Sequence, residues 1–105
     1  MSDSSAFDYR SLDDVIHSRI RLAVMAILAS VEDAEFTYLR DNVGATDGNL
    51  STHISKLAEA GYVEAAKHVT NGRAASRYRL TGEGRTAFRQ YLGRMEQLLG
   101  GLGHE

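Results

Sequence analysis

The chain has 105 residues, 43% of them hydrophobic, with no cysteine, no proline and a formal net charge of -2 at pH 7. That length holds one compact domain and is short for two, and the missing cysteines exclude disulfides, thiolate metal sites and cysteine nucleophiles. No apolar run approaches the roughly 20 residues that span a bilayer and no charged-then-apolar leader opens the chain, so a soluble, cytoplasmic protein without membrane contact is expected.

Residues 1–11 are small, polar and acidic and read as a flexible arm, unless Phe7 and Tyr9 dock onto a neighbour. From Leu12 the apolar residues Val15, Ile16, Ile20, Ala23, Val24, Ile27 and Leu28 recur at three- and four-residue spacing. Ser18 is a suitable N-cap for a segment starting at Arg19. The pattern over 12–30 therefore predicts a short helix followed by a longer one. Residues 31–35 read as a connection, and Phe36 anchors the next element, with Thr37 as N-cap of a short helix ended by Val43 and Gly44.

A second amphipathic helix is predicted over 47–60. At about 100° per residue, Leu50, Ile54, Leu57 and Gly61 share one face, while Gly48, Ser51, Thr52, Ser55 and Glu59 fall opposite. Thr46 suits the N-cap and Gly61 the left-handed stop. A face of small hydrogen-bonding side chains, flanked by Asn49 and Lys56, is shaped to enter a groove.

Asn71-Gly72 then predicts a two-residue type I′ turn. In that register facing residues have numbers summing to 143, which places Val63 opposite Leu80, Ala65 opposite Tyr78, Glu64 opposite Arg79 and Ala66 opposite Arg77. One side of the ribbon is apolar and the other charged, as a half-buried hairpin requires. Strands are expected over 62–68 and 75–80, with a looser tip over 69–75. Thr81 can cap a last helix in which Phe88, Tyr91, Leu92, Met95, Leu98, Leu99 and Leu102 form a seven-residue pattern. A helix of about twenty residues runs roughly 30 Å and outreaches a core this small, so its excess is expected to meet a second copy across a two-fold axis.

The near-neutral total hides a segregation. Residues 1–48 carry four basic and nine acidic side chains, whereas 49–90 carry seven basic and three acidic. Lys67, Arg73, Arg77 and Arg79 lie in the hairpin with no acid between positions 65 and 79. Such a cluster fits phosphate contact; taken alone it also fits a solvated hairpin whose arginines keep a sheet edge soluble.

Helix, glycine-containing turn, helix and hairpin make a helix-turn-helix followed by a wing. The fold class is therefore α+β, mainly α, with a two-stranded wing: an arm over 1–11, a winged helix-turn-helix over 12–80, and a last helix with its tail over 81–105. Four stretches carry a resemblance: Arg19 to Ala23, Thr46 to Ile54, Leu57 to Val63 and Arg77 to Arg85. Together they resemble the small prokaryotic winged helix-turn-helix regulators near the MarR-like and ArsR-like groups. The resemblance implies a dimeric transcriptional regulator that inserts one helix per subunit into successive major grooves of double-stranded DNA and lays each wing along the backbone. Metal-sensing members hold cysteine or histidine clusters and peroxide-sensing members a reactive cysteine. Neither pattern occurs here, and the dispersed His17, His53, His68 and His104 do not suggest a ligand set, so no metal or cofactor is expected.

Base-edge contacts are assigned to Asn49, Ser51, Thr52 and Ser55, near the N-terminus of the reading helix. Backbone contacts are assigned to Thr46, Lys56, Lys67, Arg73 and Arg77. The rival reading is a winged helix that docks a protein and binds no DNA. Catalysis is not expected, because no phosphate-cradling loop, nucleophile motif or metal spacing is present. Any small-molecule effector would fit a crevice between the last helix and the reading domain, near Tyr9, Tyr38 or Tyr91.

Overall fold

The computed structural model describes residues 9–66, 68–70 and 73–103, with side chains over 10–66 and 76–100. Helix α1 (Arg19–Ser30) begins where Ser18 Oγ accepts the Arg21 amide, and it buries Val24, Met25 and Leu28. The segment before it is not the short helix expected. A single 3-10 turn (Tyr9–Ser11) is followed by a turn in which Asp13 Oδ1 accepts the amides of Val15 at 2.8 Å and Ile16 at 3.4 Å. The aspartate satisfies these amides itself and so competes with helix formation. Leu12 and Ile16 are nonetheless buried, so the apolar periodicity marked core residues without marking a helix.

Strand β1 (Ala34–Glu35) occupies what reads in the sequence as connection. Helix α2 (Phe36–Val43) starts directly after it, with Glu35 rather than Thr37 at the N-cap position and without a side-chain cap. The reason is local: β1 holds Glu35 extended and the Phe36 amide donates to the Ser76 carbonyl at 2.9 Å, which satisfies one of the first-turn amides that have no partner within the helix. Gly44 ends the helix at φ 69°. Helix α3 (Asp47–Glu59) is capped by Thr46, whose hydroxyl accepts the Asn49 amide at 3.1 Å, and Gly61 follows at φ 84°.

The hairpin holds four short strands, β2 (Val63–Ala65), β3 (His68–Thr70), β4 (Arg73–Ala75) and β5 (Arg77–Leu80). All six paired positions, from Val63 with Leu80 to Thr70 with Arg73, sum to 143. Strand pairing reaches further toward the tip than expected, since β3 and β4 form their own two-stranded ladder over positions assigned to a loose loop. The root gains a third strand: β1 pairs with β5, Ala34 opposite Tyr78 and Glu35 opposite Arg77, in the sheet order β1-β5-β2.

Helix α4 (Gly82–Gly103) runs 22 residues, about 33 Å at 1.5 Å per residue. Its start is locked to the exit of α3. Thr81 Oγ1 donates to the Gly61 carbonyl at 2.6 Å and accepts the Gly84 amide at 2.9 Å, while the Thr81 amide donates to the Tyr62 carbonyl. A Cβ at Gly84 would overlap that carbonyl oxygen. Gly84→Ala should gain about 0.5–1 kcal/mol of helix propensity and lose about 3 kcal/mol to overpacking against rigid backbone, a net fall in unfolding free energy readable by urea titration. An unchanged midpoint would show that α4 can shift away from Tyr62.

The core gathers Leu28, Leu39, Leu50, Leu57, Leu80 and Phe88 from all four helices and β5. The radius of gyration is 15.9 Å, against about 13 Å for a compact domain of this length.

Candidate nucleic-acid interface

On α3, Leu50, Ile54 and Leu57 are buried, while Asn49, Ser51, Thr52, Ser55 and Lys56 are all exposed. The four residues assigned to base edges and the lysine assigned to a phosphate thus lie on the solvent side of α3, where the exposed apolar side chain is the small Ala58. Thr46 is also exposed, with its hydroxyl committed to the cap. Asp47, whose charge opposes a phosphate, is paired: Arg40 Nη1 on α2 donates to its Oδ1 at 2.9 Å and Arg40 Nε to Asp41 at 3.0 Å. The hydrogen bond to Asp47, then that to Asp41, raises the Arg40 pKa further. This bridge ties the two helices across the Gly44 turn, and sequence reasoning missed it because an arginine seven positions before an aspartate has no pattern of its own.

The wing root differs more from expectation. Arg77 does not project freely toward solvent: Nε donates to Asp33 Oδ1 at 2.5 Å and Nη1 to Glu35 Oε2 at 3.3 Å, with only a quarter of the side chain exposed. Its charge is compensated by the acidic residues that precede α2, because β1 lies beside β5. Arg79 is paired across the ribbon with Glu64 at 2.8 Å, as the register requires. Lys67, Asn71 and Gly72 lie outside the described residues, and Arg73 is described only as backbone within β4.

On the other flank of α3, His53 Nδ1 faces Arg21 Nη1 at 2.9 Å, and Arg21 Nε donates to the Val15 carbonyl at 2.5 Å. Burial first, then the charges of Arg21 and Lys56, push the His53 pKa below its ordinary value. Beneath the hairpin, Tyr62 donates its hydroxyl proton to Asp13 Oδ2 at 2.5 Å. These partners lie 32 and 49 positions apart, too far for any local signal.

The sequence model of the winged helix DNA-binding domain matches residues 20–99, which spans α1 to the greater part of α4. The chain belongs to the winged helix DNA-binding domain family. This winged-helix chain is 39% identical over 84 residues to an uncharacterised protein of Methanocaldococcus jannaschii, covering 80% of this chain and 91% of that one. Among solved structures it is similar to a transcriptional regulator homologue from Pyrococcus horikoshii, at a TM-score of 0.79 and 25% identity, covering 85% of this chain and 88% of that one. The fold is also that of the PcaV transcriptional regulator from Streptomyces coelicolor, solved with its natural ligand, at a TM-score of 0.71 and 19% identity over 88% of this chain and 64% of that one.

In this winged-helix domain the seven-residue pattern of α4 does not form one seam. Phe88, Tyr91 and Leu98 are buried in the chain's own core and Met95 is half-buried, whereas Leu92 and Leu99 are 47% and 59% exposed. The physical reason is the segment before α1, which lies along α4: Leu12 and Ile16 share its core cluster, His17 Nδ1 meets the Tyr91 hydroxyl at 2.7 Å, and Arg94 Nε donates to Ser11 Oγ at 3.0 Å. Leu102 belongs to α4, but its side chain lies outside the described residues.

A cleft of about 590 Å³ between residues 11–13 and α4 is lined by Ser11, Asp13, Gln90, Tyr91, Arg94 and Gln97. Of the three tyrosines expected at an effector crevice, Tyr91 lines this cleft. Tyr38 sits instead in a separate cleft of about 300 Å³ with Val31, Ala34 and Arg77, and the Tyr9 side chain lies outside the described residues. Among the described residues no cluster of histidine and acidic side chains gathers as a metal site, and no helix is long and apolar enough to cross a membrane.

Proposed function

We propose that this protein is a cytoplasmic transcription regulator that binds double-stranded DNA sequence-specifically as a homodimer. The observation that carries the reading is α3, whose large apolar residues Leu50, Ile54 and Leu57 are buried in the core while Asn49, Ser51, Thr52 and Ser55 stand exposed on a capped helix. That helix enters the major groove and selects sequence; the hairpin tip, with Lys67 and Arg73, follows the flanking backbone. Arg77, held between Asp33 and Glu35, positions the wing root. Residues 12–80 form the reading unit, and 81–105 pair it with a second copy through the exposed flank of α4.

Fluorescence anisotropy with the duplex upstream of the protein's own gene, repeated across salt concentrations, tests this. Binding that weakens steeply with salt and prefers that duplex over random DNA is expected. No binding even at about 50 mM salt, where phosphate contacts are strong, would favour a winged helix that docks a protein. Ser51→Ala and Asn49→Ala should each change preference at one base position by roughly 1–3 kcal/mol while leaving random-DNA affinity unchanged. Equal losses on both duplexes would remove these residues from base reading.

A further inference from the structure

The positive side chains around α3 divide into two groups. Arg40, Arg77 and Arg79 each pair with at least one carboxylate within 3.0 Å. Arg21 and Lys56 do not: among the described residues no carboxylate pairs with either, and Arg21 is held instead by a neutral carbonyl and an imidazole. The two lie in one cleft of about 320 Å³, formed by the turn before α1, the first turn of α1 and the flank of α3, and lined by Asp14, Val15, Arg21, Lys56, Glu59 and Ala60. Asp14 and Glu59 stand in the lining without an ion pair to either cation.

The hydrogen bonds define what this cleft offers. A guanidinium has five N–H groups; Nε is used on the Val15 carbonyl and one Nη1 proton on His53, which leaves three to donate. Because arginine only donates, His53 Nδ1 must accept, and its proton therefore sits on Nε2, at the far side of the ring. Arg21, the outward N–H of His53 and Lys56 are thus donors that lack an acceptor, beside the face of α3 that carries Ser51, Thr52 and Ser55. A helix with its side chains is about 10–12 Å across and the major groove about 12 Å wide. A side chain on the helix flank therefore meets a phosphate on the groove wall.

We infer that Arg21, positioned by the Val15 carbonyl and His53, forms with Lys56 a site for one backbone phosphate of the DNA, on the α1 side of the reading helix. This rests on the DNA-binding reading above and adds two residues, Arg21 and His53, from outside the reading surface and the wing. It also moves phosphate binding from the neutralised wing root to the unneutralised flank of α3.

Arg21→Gln should lower affinity for specific and random duplexes alike, roughly tenfold for a lost charge-assisted contact, and reduce the salt slope by about 0.9 per protomer. Lys56→Gln should act in the same direction. Since Arg21 also anchors Val15, thermal melting accompanies the binding assay. A second measurement needs no variant: on titrating wild-type protein with duplex, the Arg21 Nε–H and His53 ring resonances should shift in step with binding. A wild-type protein that binds duplex while both signals stay still, or a folded Arg21→Gln variant with an unchanged slope, would overturn the phosphate site and leave the function standing. Absence of duplex binding by the wild type would overturn both. Shifts with inorganic phosphate alone and none with duplex would assign the cleft to a free anion and overturn the backbone contact.

Discussion

Replacing Leu92 and Leu99 together by lysine is expected to convert the proposed dimer to a folded monomer, with the mass by light scattering falling from twice the 11.5 kDa chain mass to the chain mass itself. Among the described residues the two leucines are the large apolar side chains that α4 leaves exposed, at 47% and 59%, one heptad apart on the flank away from the segment preceding α1. Burial of a leucine is worth about 1.5–3 kcal/mol, and in the proposed dimer four of them would meet across an isologous two-fold seam. Two added cations per chain would also repel across it. Because two linked reading helices bind with an avidity of roughly 10²–10⁴ over one, affinity for a palindromic site should fall by that order, while the monomer still melts cooperatively, at a midpoint lowered by the lost subunit contact. A double variant that stays dimeric would place the seam elsewhere. The same substitutions at Phe88 or Leu98 should instead unfold the chain, because those side chains are 9% and 4% exposed within one subunit.

Tyr62→Phe is expected to destabilise the fold by about 2 kcal/mol, the cost of losing a hydrogen bond to a charged group and leaving a part-buried carboxylate oxygen unmatched. The hydroxyl donates to Asp13 at 2.5 Å, and that bond, with burial second, raises the Tyr62 pKa to about 12. The sign of the pH dependence follows. The folded state holds the phenol proton more tightly than the unfolded chain, whose tyrosine titrates near 10. The contribution is therefore complete below about pH 10 and is lost as pH rises toward about 12. Denaturant midpoints of wild type and Tyr62→Phe should differ at neutral pH and converge across that window. A difference that persists undiminished at the alkaline end would mean that the hydroxyl contributes through shape and not through its proton.

Both residues illustrate what was legible in the sequence. The reading helix, its Thr46 cap and Gly61 stop, the Ser18 cap of α1 and the register of the hairpin were all readable, because each rests on periodicity or turn chemistry within a dozen residues of chain. The long last helix was readable for the same reason. Its apolar pattern did not say which leucines face inward, since a heptad stripe looks the same whether its cover comes from the same chain or another. Among the described residues the positions from Phe88 to Leu99, assigned with Leu102 to dimerisation, divide into a buried face and an exposed flank, because the segment before α1 occupies one side of α4.

Charge was read least well, for a related reason. Counting arginines located a basic hairpin correctly, but Arg77 meets Asp33 and Glu35 from 44 and 42 positions away, through a two-residue strand too short to show alternation. Arg21 entered the sequence reading only within the Arg19 to Ala23 stretch of the resemblance, because its place beside α3 depends on Val15 and His53 arriving together.

The sequence by itself determined α1, α3 and α4, the caps at Ser18 and Thr46, the strand register and the membership of the winged-helix class, because those depend on short-range backbone geometry and on which side chains avoid water. Only the tertiary structure decided which positive charges are neutralised, which of the described leucines of α4 remain exposed, and which hydroxyl holds the N-terminal turn beneath the wing, because a charge or an apolar surface acquires its partner only when distant segments are brought side by side.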